Sequence, residues 1–207
     1  NEFMDYLFCK VIKPNGTVGL LTNSAGKIIR LLKGFVNYQI VKGVIPLIDL
    51  RNFKVVEEET DAIYLNEKEL ATIYALDLSD DKQLEEIRDI FITGCFTGLR
   101  YSDLSTLSPE HMDLDNGNIN LKQRKVHKAV VIPMIDYVPE ILKKYNYNLP
   151  KVSRYLFNER VKEIGRRANL KQKIEVVRKK GKEREKKIYE KWEMISSHTC
   201  RRSFCTN

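Results

Sequence analysis

Hydrophobic positions along the chain follow a helical period more often than an alternating one. Phe3, Tyr6, Leu7 and Val11 fall on one helical face, and Pro14-Asn15-Gly16 reads as the turn after it. Ile29, Leu32, Val36 and Ile40 recur at the spacing of a long amphipathic helix, capped at Asn23 or Ser24 and ended at Gly43. Over 44–62 the period is lost, and Pro46 with the run Glu57-Glu58-Glu59 marks a solvated linker. Asn66 is placed to cap a helix reaching about Leu76, with Glu69 returning the bond in a capping box. A further helix begins near Ser79 or Asp80 and carries Leu84, Ile87, Phe91 and Cys95 as one stripe, until Thr97-Gly98 breaks it. Ser108-Pro109-Glu110 opens a short helical turn, and residues 115–118 reverse the chain. Alternation at 119–123 and 129–132 predicts two strands joined around Val126-His127-Lys128. Helices are expected again at 138–145 and 155–169, the second with Phe157, Val161, Ile164 and Ala168 on one face. Residues 173–192 alternate in part around Gly181 and predict a β-ribbon, after which Ser197 caps a last helix over 198–204. The pattern predicts a mainly α chain with a small antiparallel β-sheet: a helical segment over 1–43, a linker over 44–62 and a main domain over 63–207.

Composition narrows the class. With 207 residues, 43% of them hydrophobic, the chain can bury a sizeable core. No run has the length of a membrane span and no signal-peptide pattern opens the chain. It starts at Asn1 without a Met, and 1–43 is short for an independent core, so the chain reads as a piece of a longer protein. Cys9, Cys95, Cys200 and Cys205 show no paired spacing and read as small buried hydrophobes in a reducing cytoplasm, not as disulfides or metal ligands. There is no P-loop and no His/Cys metal cluster in the sequence. The net charge of +8 favours a polyanionic partner. Residues 160–191 hold 14 Lys/Arg against 5 Asp/Glu, which leaves the remainder near neutral. Lys27, Arg30 and Lys33 lie off the apolar face of their helix, either as a solvated face or as phosphate contacts.

Three separated stretches carry candidate chemistry. Arg100 follows the Thr97-Gly98 break, where flanking helices fix the backbone that aims its guanidinium. Taken alone it reads as the partner of a carboxylate such as Asp103. Gln123-Arg-Lys-Val-His-Lys128 places Lys125 beside a strand turn, with Lys128 as its local rival. Ser196-Ser-His-Thr-Cys-Arg-Arg202 puts His198 and Arg201 three positions apart, on one helical face. Two arginines, a lysine and a histidine suit a phosphodiester reaction. The guanidiniums meet charge developing on the non-bridging oxygens, and the lysine can give a proton to a departing sugar oxygen.

In this order the three stretches resemble the catalytic domain of the tyrosine recombinases (phage-integrase family), over nearly the whole chain. The resemblance implies a catalytic domain preceded by a partial helical core-binding domain, the two forming a C-shaped clamp on duplex DNA. It implies site-specific cutting and rejoining through a 3′-phosphotyrosyl link, with no cofactor and with four protomers on two duplexes. Carried onto this sequence, it makes Arg100, Lys125, His198 and Arg201 catalytic, with Asp103 supporting them and Cys200 packing. Val126-His127 stands where the family commonly has a small residue and a glycine. Arg124, Lys128 and Arg202 join Lys27, Arg30 and Lys33 as contacts to the DNA backbone, with Arg202 pointing away from His198. The family's tyrosine nucleophile follows the His-x-x-Arg helix, so it is expected beyond Asn207, and the chain as given is expected to bind DNA without cleaving it. The Ser-Ser-His-Thr-x-Arg-Arg-Ser-Phe pattern is similar to that of integrases of bacterial mobile elements, which implies the bacterial cytoplasm. A non-catalytic DNA-binding protein on the same scaffold and a type IB topoisomerase-like enzyme are the alternatives.

Overall fold

The computed structural model describes residues 2–51, 53–181 and 183–207. These form two compact units: one of the residues up to Asp61 together with Glu175–Ile188, the other of Ala62–Ile174 and Tyr189–Asn207.

In the first unit, α1 (Glu2–Cys9) and α2 (Thr22–Val41) pack through Leu7, Ala25 and Ile29, with Phe3, Phe8, Phe53 and Val56 around them. Helix α2 begins one turn-edge earlier than its polar residues suggest, after Leu21, which supplies no side-chain cap. Asn23 is drawn instead into a reciprocal pair with the backbone of Glu58, donating to its carbonyl and accepting its N–H, both at 2.9 Å. Of the expected stripe only Ile29 is fully buried; Leu32 is exposed, and Val36 and Ile40 are half-covered. The acidic run is not merely solvated. Glu57 pairs with Arg30, and Glu58 accepts the Lys179 N–H at 2.9 Å.

The second unit is built on α4 (Lys82–Thr97). Leu84, Ile87, Phe91 and Cys95 are all buried on it, as their spacing demands. It is preceded by α3 (Glu67–Tyr74), whose Asn66–Glu69 capping box forms as expected. It is followed by α5 (Tyr101–Leu104) and a short 3-10 helix over Pro109–His111. The sheet has three strands in sequential antiparallel order, β1 (Met112–Asp113), β2 (Asn118–Lys122) and β3 (Ala129–Pro133). Strand β1, only two residues long, has too little alternation to be read from sequence; Ile119 of β2 pairs with Met112 on one side and Ile132 on the other.

Helices α6 (Val138–Lys144) and α7 (Arg154–Arg167) cover further faces of α4, and Phe157, Val161 and Ile164 of α7 are buried. Strands β4 (Lys173–Lys180) and β5 (Glu183–Glu190) make the ribbon predicted around Gly181. The last helix, α8 (Ser197–Thr206), packs along α4. Its cap is Ser196 and not Ser197, which is the first helical residue; the Ser197 N–H goes to Asn158 Oδ1 of α7 at 2.8 Å. Cys95 and Cys200 are buried as expected, but Cys9 and Cys205 are exposed.

Candidate functional site

The break after α4 fixes the first arginine. Gly98 is left-handed (φ 62°), and its N–H closes the helix on the Gly94 carbonyl. The Phe204 ring of α8 lies where a side chain at Gly98 would go. Leu99 turns into the core, and Arg100 leaves in an extended conformation before α5. Its guanidinium donates to Gln123 Oε1 at 2.9 Å, a neutral acceptor that leaves the charge uncompensated. Asp103 does not take this arginine. It is fully buried and accepts the Arg124 N–H at 3.0 Å, so it holds the β2–β3 loop in place; its Oδ2 has no hydrogen-bond partner.

That loop carries the lysines. Gln123 N–H donates to the Lys128 carbonyl at 2.9 Å, and His127, left-handed at φ 53°, donates its N–H to the Gln123 carbonyl at 2.8 Å. Gln123 is therefore both the base of the loop and the acceptor for Arg100. Arg124, Lys125 and Lys128 all stand exposed on it. His127 shapes the turn, and His111 is engaged by Ser108, with 2.7 Å between Oγ and Nδ1.

Helix α8 is seated on α4 at close range. A Cβ at Gly94 would stand 3.1 Å from Cys200 Cβ and 3.2 Å from its Sγ, so only glycine admits this approach comfortably. Burial and the adjacent Cys200 push the Cys95 thiol well above its ordinary pKa, which marks it as a packing group. At the far end Ser203 Oγ accepts the Leu65 N–H and donates to the Thr199 carbonyl, both at 2.9 Å; Asn207 Nδ2 donates to the Leu65 carbonyl at 3.0 Å.

On this helix His198 is exposed at its edge, and its Nε2 lies 3.0 Å from a guanidinium nitrogen of Arg154, the first residue of α7. Partial burial, then the charges of Arg154, Arg202 and Lys125, hold His198 below its ordinary pKa. Arg202, expected to point away, is one of the charges that act on this ring. Arg201, one turn from His198, is half-buried with its Nη1 enclosed and without a hydrogen-bond partner. The structure brings Lys125, Arg154, His198 and Arg202 into one electrostatic neighbourhood. Arg100 is bonded to Gln123 at the base of the loop that carries Lys125, and Arg201 lies one turn along α8 from His198.

The remaining candidates lie in the first unit: Lys27 is exposed, Lys33 half-buried, and Arg30 paired with Glu57. Arg154, Gln123 and Asn158 were not singled out by the sequence. Arg154 alone carries a local sign: a cation in a first helical turn that has no acidic residue, opposed to the helix dipole. Among the described residues no group of three or more His, Cys, Asp or Glu could hold a metal ion, and no helix is long and apolar enough to cross a membrane.

The family model described as "Phage integrase family" matches residues 64–207. Among solved structures the chain resembles a lambda integrase dimer bound to a COC′ core site (16% identity, TM-score 0.58), covering 72% of this chain and 57% of that one. It also resembles the Tn1549 transposon integrase in complex with circular intermediate DNA (18% identity, TM-score 0.58), covering 91% and 66% respectively. The chain therefore spans less than two thirds of either structure, and at these identities the likeness is one of fold. No curated protein matches in sequence.

Proposed function

The chain belongs to the phage integrase family, and from that premise we propose that it forms part of a site-specific DNA recombinase acting through a 3′-phosphotyrosyl intermediate. The observation that carries the reading is a set of uncompensated cations at one end of the second unit. Arg100, Lys125, Arg201 and Arg202 make no ion pair among the described residues, and Arg201 keeps an enclosed donor unused. Buried donors are nearly always satisfied, so a group that fills this one is expected to be an anion.

In this reading the scissile phosphate lies between Arg100 and Arg201, whose planar forks take its non-bridging oxygens. A tyrosyl oxygen, from none of the residues gathered here, forms a bond to phosphorus as the bond to the 5′ oxygen breaks. Lys125 gives its proton to that departing oxygen. His198, held neutral, accepts or shares a proton near the attacking side. The 3′-phosphotyrosyl link conserves the bond energy for rejoining, so no nucleotide or metal is called for. Arg124, Lys128, Arg202, Lys27, Arg30 and Lys33 contact the backbone of duplex DNA, and protomers associate as tetramers on two duplexes. A mobile element of a bacterial cytoplasm is the setting proposed.

The test is Arg100→Ala in the natural protein, on a nicked duplex that traps the covalent adduct. Adduct formation is expected to fall by about 10²–10³-fold or more, while duplex affinity changes less than about tenfold. Equal losses of affinity and adduct would make Arg100 a binding residue and remove the catalytic reading.

A further inference from the structure

Arginine 154 is the cation in this neighbourhood that no sequence motif supplies. It occupies the first position of α7, behind the Ser153 cap, whose Oγ accepts the Leu156 N–H at 3.2 Å. The positive end of a helix dipole is an unfavourable place for a guanidinium. No carboxylate relieves it among the described residues; its hydrogen bond goes to His198 Nε2. The direction of that bond is fixed by chemistry. Arginine has five donors and no acceptor, so Nε2 must offer its lone pair and the ring proton of the neutral imidazole sits on Nδ1. A protonated ring would set donor against donor and expel the guanidinium. The charges that reach the ring are Arg154 from α7, Lys125 from the β2–β3 loop and Arg202 from α8, all of one sign.

We propose that Arg154 is a positioning residue for His198 and a further ligand of the phosphodiester. In the free protein its guanidinium holds Nε2 and keeps the ring in the Nδ1–H tautomer; when a duplex phosphate arrives it transfers to a non-bridging oxygen and releases Nε2. The exchange trades a neutral acceptor for an anionic one, and charge-assisted hydrogen bonds are roughly twice as strong as neutral ones. It also frees Nε2 only when the substrate is present, so the histidine is set in orientation and protonation before it has to act. This rests on the reading of the cluster as a phosphate site. The tautomer lock, however, is a property of the free chain and is measured without cleavage.

The experiment is ring-nitrogen NMR of the 15N-labelled chain, followed by binding to a short duplex at several salt concentrations. In the wild type His198 should be in the Nδ1–H form and resist protonation to lower pH than exposed histidine. In Arg154→Ala the titration midpoint should move up and the Nδ1–H preference disappear. Arg154→Lys, which keeps charge without the fork, should hold the midpoint down while mixing the tautomers, and it carries the test if the alanine variant does not fold. Duplex addition should shift the Nε2 resonance of the wild type, and Arg154→Ala should reduce the slope of log K against log salt by about 1. An unchanged tautomer and midpoint in Arg154→Ala would overturn the positioning role, and an unchanged salt slope would overturn the phosphate contact. If both effects appear while the natural protein fails to cleave DNA, the Arg154–His198 exchange stands and the recombinase reading falls.

Discussion

The two ends of α7 present the same side chain in opposite circumstances. At its carboxyl end Arg166 bonds Glu163 at 2.8 Å, and Arg167 bonds both Glu163 and Asp80. Midway, Arg160 pairs with Asp81. At the amino end Arg154 has only a histidine. The carboxyl-end arginines also complement the helix dipole, whereas Arg154 opposes it. Where arginine serves the fold, carboxylates and the dipole meet it; where it stands without either, its counter-charge has to come from outside the protein. The contrast divides the charge count. In the basic stretch over 160–191, Arg160, Lys162, Arg166, Arg167, Lys186 and Lys191 pair with carboxylates. The cations that act on His198 come instead from the near-neutral remainder of the chain.

The sharpest way to break this contrast is to delete one arginine from each class in the natural protein. Arg201→Ala is expected to raise the cleavage barrier by about 3–4 kcal/mol, seen as adduct yield on a nicked duplex. Arg167→Ala should leave cleavage intact and move the urea midpoint only slightly. Similar adduct losses from the two would show that ion pairing does not separate the classes. Next in size, Gly98→Ala forces an L side chain into the left-handed region and against Phe204. A stability loss on the order of 1–2 kcal/mol by thermal or urea melting is expected, with Arg100 displaced as well. A smaller effect separates the same two sets in binding. Lys125→Ala or Arg202→Ala should each lower the salt slope of duplex binding by about 0.9, and Arg166→Ala should leave it unchanged.

The smallest effect is one of pH. Because the folded state holds His198 below its ordinary value, the unfolded chain binds the proton first as pH falls. The stability contributed by this residue is complete above about pH 6.5 and declines below it, down to the folded-state pKa. In urea titrations across that window wild type should lose stability relative to His198→Gln as pH falls; parallel curves would show no linkage at this residue.

What the sequence disclosed is what local rules govern. The α4 stripe, the Asn66 capping box, the Gly98 stop and the ribbon about Gly181 depend on neighbours within a few positions, and the structure has all of them. What stayed hidden depends on partners far along the chain. Ser197 looks like the cap but is the first residue of the helix, and its N–H is met by Asn158, 39 residues away. Asp103 looks like the partner of Arg100 until packing hands it the Arg124 N–H, 21 residues on. Arg154 has no motif, and its meaning arises only when α7 and α8 bring it to His198, 44 residues later. The α2 stripe failed for the opposite reason: its period is strong, but beyond Ile29 the first unit supplies little to cover it.

The bonds of Ser203 and Asn207 to the backbone of Leu65 tie the end of α8 to the segment just ahead of α3, across 138 and 142 residues of sequence. Closing so long a loop costs entropy that local contacts do not repay, so this clasp is expected to form late in folding, after α8 has taken its seat on α4.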